Sequence, residues 1–304
     1  MLSPRRRGGL AAGHRVALLA ALLAGSIITG NADQLTVRGR YAEVTGDVEA
    51  RQTALRVASL VDQAVSRIAP LVGARDLRPV RAIIYLDRGR FLAATQMPPR
   101  APVVGLATFP SEIIYIDGTG LLTSIERIVP HEVAHVMVAR SLGPAASSLP
   151  TWANEGIAEY AAGENSSQVD PVTLRAIGQG RFIPLIDLDA AFRDKGDTSS
   201  LAYAEAASIV NTLVTSRGPQ VIAQLLTATR ERGNFASALS QVTGMDEAQL
   251  DSSWRRSVSR RWRWPLLFDS QALLLVAMLI LFLLAYIRYR RERRRRQEMP
   301  DSDW

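Results

Sequence analysis

The sequence predicts an α+β fold, a small sheet followed by a mostly helical half, in one domain of two lobes with a cleft between them. Three observations lead there. Short stretches before residue 120 alternate apolar and polar residues, the period of a half-buried strand. From about residue 121 the apolar residues recur every three to four positions, the period of an amphipathic helix. Between residues 33 and 260 no internal repeat or low-complexity linker divides the chain.

Taken in order, residues 34–44 (QLTVRGRYAEV) alternate well enough for a strand. Asp47 is placed to cap a helix through about Ile68, with Leu55, Ala58, Val61, Val65 and Ile68 on one stripe. Residues 79–86 (PVRAIIYL) and 111–116 (SEIIYI) read as strands, the second ending at the turn Asp117-Gly118-Thr119-Gly120. Helices are expected over 121–141, 150–162, 202–216, 218–231 and 246–261.

Two apolar stretches bracket this domain. Arg5, Arg6 and Arg7 precede the run VALLAALLAGSII (16–28), and small residues Gly30 and Ala32 follow. That is the pattern of a signal peptide over 1–32, with an uncleaved anchor as the alternative. Near the other end, residues 265–287 contain the run ALLLVAMLILFLLAYI, long enough for one transmembrane helix. Trp262, Trp264 and Tyr286 sit where interfacial aromatics belong, and RYRRERRRR (288–296) follows. A buried core helix is a poor fit to a run that ends in so dense an arginine block. The positive-inside rule puts the tail 288–304 in the cytoplasm and the domain 33–262 outside the cell membrane.

The charge follows from these ends. The chain carries a formal net charge of +7, yet residues 33–287 hold 25 basic and 25 acidic side chains. The excess lies in the leader and the tail, so it reports topology and gives no reason to expect a nucleic-acid partner. A role of the tail in holding anionic lipid fits the same charge. The chain has no cysteine, which removes disulfides and every thiolate metal site.

Chemistry concentrates in VPHEVAHVMV (129–138). His131 and His135 are four apart and therefore share one helix face, where both imidazoles can reach one ion at about 2.0 Å. Glu132 follows the first histidine directly, placed to reach a water on such an ion without binding the ion itself. A catalytic zinc site needs three protein ligands and one open position. No further histidine exists beyond His14 in the leader, and an extended histidine motif is ruled out by Val138 and Ser141. The third ligand has to be a carboxylate, or the site is incomplete. The best candidate lies in LPTWANEGIAEY (149–160), where Thr151 is placed to help cap a second helix. Glu155 and Glu159 are four apart there among apolar neighbours, Glu155 to coordinate and Glu159 to accept a histidine ring N–H and fix its tautomer.

HExxH followed by NEGIAEY resembles the gluzincin metallopeptidases, most of all the bacterial peptidase-MA-like group, whose second motif reads close to LPxWxNEGxAEY. The resemblance covers residues 100–260 and includes Val104-Gly105-Leu106-Ala107, the stretch YAEAASIVNTLV (203–214) and Trp254. It implies zinc held by His131, His135 and Glu155, with Glu132 as general base, and a peptide or protein substrate. An oxyanion donor besides the metal is needed, and Tyr203 is the choice, with Tyr160 and Tyr115 as alternatives. The resemblance also implies an edge strand above the metal that takes substrate as an added strand; residues 111–116 occupy that place in order. Pro130 departs from the pattern, and its missing N–H predicts a helix that starts or kinks there. The sequence thus reads as a membrane-anchored zinc metallopeptidase working outside the cytoplasmic membrane. The competing reading is a catalytically inactive gluzincin fold kept as a tethered binding or scaffold protein.

Overall fold

The computed structural model describes residues 27–30, 34–101, 103–120, 122–163, 180–194, 196–262 and 270–297. Its sheet has six strands: β1 (Ile27–Gly30), β2 (Gln34–Arg38), β3 (Ala42–Asp47), β4 (Val80–Tyr85), β5 (Gly105–Thr108) and β6 (Ile113–Asp117). They lie in the order β1-β2-β3-β4-β6-β5. The pairs β3/β4 and β4/β6 are parallel and the rest antiparallel. The parallel step from β3 to β4 needs a crossover, and helix α1 (Arg51–Val72) supplies it. Its buried stripe includes Val57, Val61, Val65 and Ile68.

Among the described residues the other helices are α2 (Arg88–Thr95), α3 (Leu122–Leu142), α4 (Thr151–Ala162), α5 (Leu185–Ala191), α6 (Asp197–Arg217), α7 (Gln220–Arg232), α8 (Phe235–Thr243), α9 (Glu247–Trp262) and α10 (Ser270–Gln297). The architecture is α+β, mostly helical with one small sheet. α3 packs on α1 and reaches strand β5, and α4 lies between α3 and α6. One continuous buried cluster runs from Val37 and Ile84 in the sheet through Met137 on α3 to Ile209 on α6 and Trp254 on α9.

Several local expectations change. Residues 34–44 form two strands, because the Asp62 carboxylate accepts the N–H groups of Arg40 and Tyr41 at 2.8 and 2.7 Å and stabilises a hairpin. Asp47 makes no side-chain cap; it starts a short 3-10 turn and pairs with Arg90 instead. Thr151 does not cap α4 either. Pro130 lies inside α3, which begins well before it at Leu122. The proline leaves only the carbonyl of Glu126 without its helical donor, and Glu126 is exposed, where water can substitute. The strand at 111–116 begins at Ile113 and is internal; the edge of the sheet on that side is β5. That edge strand, α2, α5 and α8 were not foreseen.

Of the expected leader, residues 1–26 lie outside the described residues, while Ile27–Gly30 pair with β2 as an edge strand. Among the described residues, no helix is long and apolar enough to cross a membrane. The expected span starts at Pro265, and 265–269 lie outside the described residues. On α10 the apolar side chains from Leu274 to Ile287 are exposed, at 65% and 40% for these two.

Candidate metal centre

Two helices that are 20 residues apart in sequence at the closest site residues, His135 and Glu155, meet here. On α3, His131 and His135 stand one turn apart with ring centroids 4.7 Å apart and nearly perpendicular. Val129, Val133, Ala134 and Met137 are fully buried around them, so the core fixes the rotation of the helix. On α4, Glu155 and Glu159 face the same rings. His131 Nε2 lies 3.0 Å from His135 Nε2 and 3.4 Å from Glu155 Oε2, and His135 Nε2 lies 3.5 Å from the same oxygen.

Four ligands at 2.0–2.1 Å in a tetrahedron stand about 3.3 Å from one another. The three donors match one face of such a figure, and among the described residues they form the one group of this kind that could hold a metal ion. Nitrogen, nitrogen and carboxylate oxygen suit zinc among other divalent ions. The residues present fit the ion that the sequence motifs imply.

The electrostatics couple these side chains closely. Burial alone would raise the Glu155 carboxyl, but hydrogen bonds from His131 and His135, and their charges, pull it down to about 2. Burial would depress His135, yet the hydrogen bond and charge of Glu155, then the charge of Glu132 and the side chain of Asn154, push it up to about 9. His135 Nδ1 is buried without a partner at normal hydrogen-bond geometry. Its interaction with Asn154 was missed from sequence, although Asn154 directly precedes Glu155. His131 Nδ1 faces Glu159 Oε1 at 3.5 Å, so Glu159 stands behind the ring and not on the ion's side.

Glu132 is buried and turns toward β5, where its Oε2 accepts the Ala107 N–H at 2.7 Å. Tyr203, on the first turns of α6, stacks edge-on against Phe192 at 4.9 Å. Burial first, then the charges of Glu155, Glu159 and Glu132, push its hydroxyl up to about 12. Three site carboxylates therefore act on Tyr203 together. Tyr115 stacks on Tyr85 at 6.2 Å, and Tyr160 sits half-buried on α4.

Three contacts that sequence reasoning did not find hold α4 in place. Its N-terminal amides at Thr151 and Trp152 donate to the Asp189 carboxylate of α5, at 2.9 and 2.7 Å. At its other end Arg67 of α1 donates to the carbonyls of Ala161 and Ala162. Between them, Gly156 lets α4 approach α6: a Cβ there would stand 2.5 Å from the Ala206 carbonyl oxygen.

Two helix-borne imidazoles and a carboxylate gather around one point, with a second carboxylate alongside, as a group that could hold a metal ion. The chain matches the peptidase MA superfamily over residues 60–260, and it belongs to that superfamily. No curated protein matches it. Peptidases of this superfamily are typically metal-dependent, and the domain implies peptide or protein substrates.

Proposed function

We propose that this protein is a gluzincin-type zinc peptidase of the bacterial peptidase-MA-like group, anchored in the cell membrane with its catalytic domain outside. The observation that carries the reading is the triangle of donors at His131, His135 and Glu155, with edges of 3.0, 3.4 and 3.5 Å. His131, His135 and Glu155 would hold a zinc ion, which would supply Lewis acidity for peptide-bond hydrolysis there.

The remaining steps belong to the protein. Glu132 has one oxygen fixed by Ala107, which leaves Oε1 to take the proton of the water and deliver it to the leaving amine. Tyr203 keeps its proton far above neutral pH and serves as donor to the carbonyl oxygen as charge develops there. Glu159 accepts the Nδ1 proton of His131 and so presents the Nε2 lone pair to the ion. The open edge of β5 offers a place for an extended peptide to add as a strand.

Anchoring is supported by the apolar run to Ile287, by the exposure of its side chains on α10 and by the arginines that follow. In this topology the tail from Arg288 is cytoplasmic. The test of the reaction is Glu132→Gln in the purified full-length chain. Zinc content should stay near wild type while cleavage of a quenched peptide library disappears. Equal cleavage by the variant would overturn Glu132 as the general base, and no chelator-sensitive cleavage by wild type would favour a tethered binding protein.

A further inference from the structure

We propose that the backbone of the edge strand β5 is a positioning element for Glu132: the Ala107 amide aims the carboxylate, and the bare Cα of Gly105 lets the strand come close enough. The proposal deepens the peptidase reading and rests on it for the role of Glu132.

Strand geometry comes first. The carbonyls of Val104 and Thr108 accept from Asp117 and Glu112 on the β6 side. Alternation along a strand therefore turns Gly105 and Ala107 to the open edge, where their amides have no strand partner. The Ala107 amide is satisfied by Glu132 Oε2 at 2.7 Å. A charge-assisted bond of this length fixes one oxygen and, with it, the plane of the carboxylate.

Closeness comes second. Ile128 and Glu132 are four apart on α3 and point together at Gly105. A Cβ at position 105 would stand 2.1 Å from Ile128 Cγ2 and 3.5 Å from Glu132 Cγ. A side chain at 105 must displace the Ile128 side chain or push β5 away from α3, and a strand displacement of a few tenths of an ångström lengthens the bond from Ala107. The two features act as one device: residue 105 sets the distance and residue 107 uses it. A general base contributes through its aim as well as its basicity, so a loosened Glu132 loses rate without losing metal.

The test uses the full-length chain in detergent, with hydrogen–deuterium exchange at individual amides, metal content, and kcat and KM on a quenched peptide library. In wild type the Ala107 amide should exchange slowly although it faces the open edge. In Glu132→Ala it should exchange at least about tenfold faster while Thr108 stays protected, a readout that does not need activity. Gly105→Ala should also expose Ala107 and lower kcat roughly 10- to 100-fold, with KM within about twofold and metal content unchanged. Adding Ile128→Ala removes the clashing methyl and should restore both protection and most of kcat. A fast-exchanging Ala107 amide in wild type overturns the proposal, and so does a Gly105→Ala variant with exposed Ala107 and full kcat. Absence of peptide cleavage in wild type, with Ala107 protected by Glu132, sinks the peptidase reading and leaves the contact standing.

Discussion

The two helices that bring the candidate ligands together are tied at different places. α3 is long and is fixed by buried side chains, with Val129, Val133, Val136 and Met137 all fully buried, and its polar ties lie past the histidines, where Arg140 and Ser141 donate to the Arg78 and Val72 carbonyls. α4 is short; it too buries Trp152, Ile157 and Ala158, and it is held from outside as well, by Asp189 at one end, Arg67 at the other, and the close approach to α6 at Gly156. Buried side chains orient both helices; hydrogen bonds from distant segments grip the second at both ends.

The largest break in that comparison comes from removing the ligand on the externally held helix. Glu155→Ala should leave zinc at below about a tenth of an equivalent, as His135→Ala should, because two donors do not make a tight site; elemental analysis of the purified chain reads this. Next comes the chain of supports behind α4. Glu205 on α6 is buried, and both its oxygens accept the Ile183 N–H, at 3.2 Å each, just before α5. Burial raises its carboxyl to about 8, against the Ile183 bond and Arg255, which lower it, and with Asp251, which raises it. The folded chain then holds a proton that the unfolded chain releases near pH 4.5. Stability from this group is complete below that pH and is lost as pH climbs through about 8, a change on the order of 4 kcal/mol. Glu205→Gln should flatten this part of the pH–stability curve in denaturant titrations.

Gly156→Ala should cost about 1–3 kcal/mol, seen as a lower Tm, since the new methyl meets a backbone carbonyl that cannot swing aside. Glu159→Gln should weaken zinc binding by about 10- to 100-fold in competition with a chelating dye, with little change in Tm. The smallest effect is expected at the cap. Asp189→Ala should cost about 1 kcal/mol and weaken zinc binding only as far as α4 frays. A result in which this variant loses zinc as fully as Glu155→Ala would mean that α4 has no other hold.

The same contrast explains what could be read from the sequence. His131, Glu132 and His135 lie within five residues, and a helical period is enough to place them on one side. Glu155 and Glu159 were accessible because they too are one turn apart in an apolar setting. Tyr203 comes from a third segment, where spacing alone offers no more than a choice among tyrosines. Asn154, Gly156 and Asp189 were not legible as supports, because their partners lie on other elements. β5 was missed for another reason: a strand of four residues, GLAT, is too short for alternation to stand out. Its neighbour SEIIYI, with stronger β-formers, took the edge position in the reading and turned out to be internal.

The pairing of Ile27–Gly30 covers the outer backbone of β2. A leader peptidase cutting after Ala32 would carry this ribbon off and bare the backbone of β2, a ready template for a neighbouring chain. Keeping the ribbon seals that border with the protein's own polypeptide. A chain without Ile27–Gly30 would leave β2 bare at that rim.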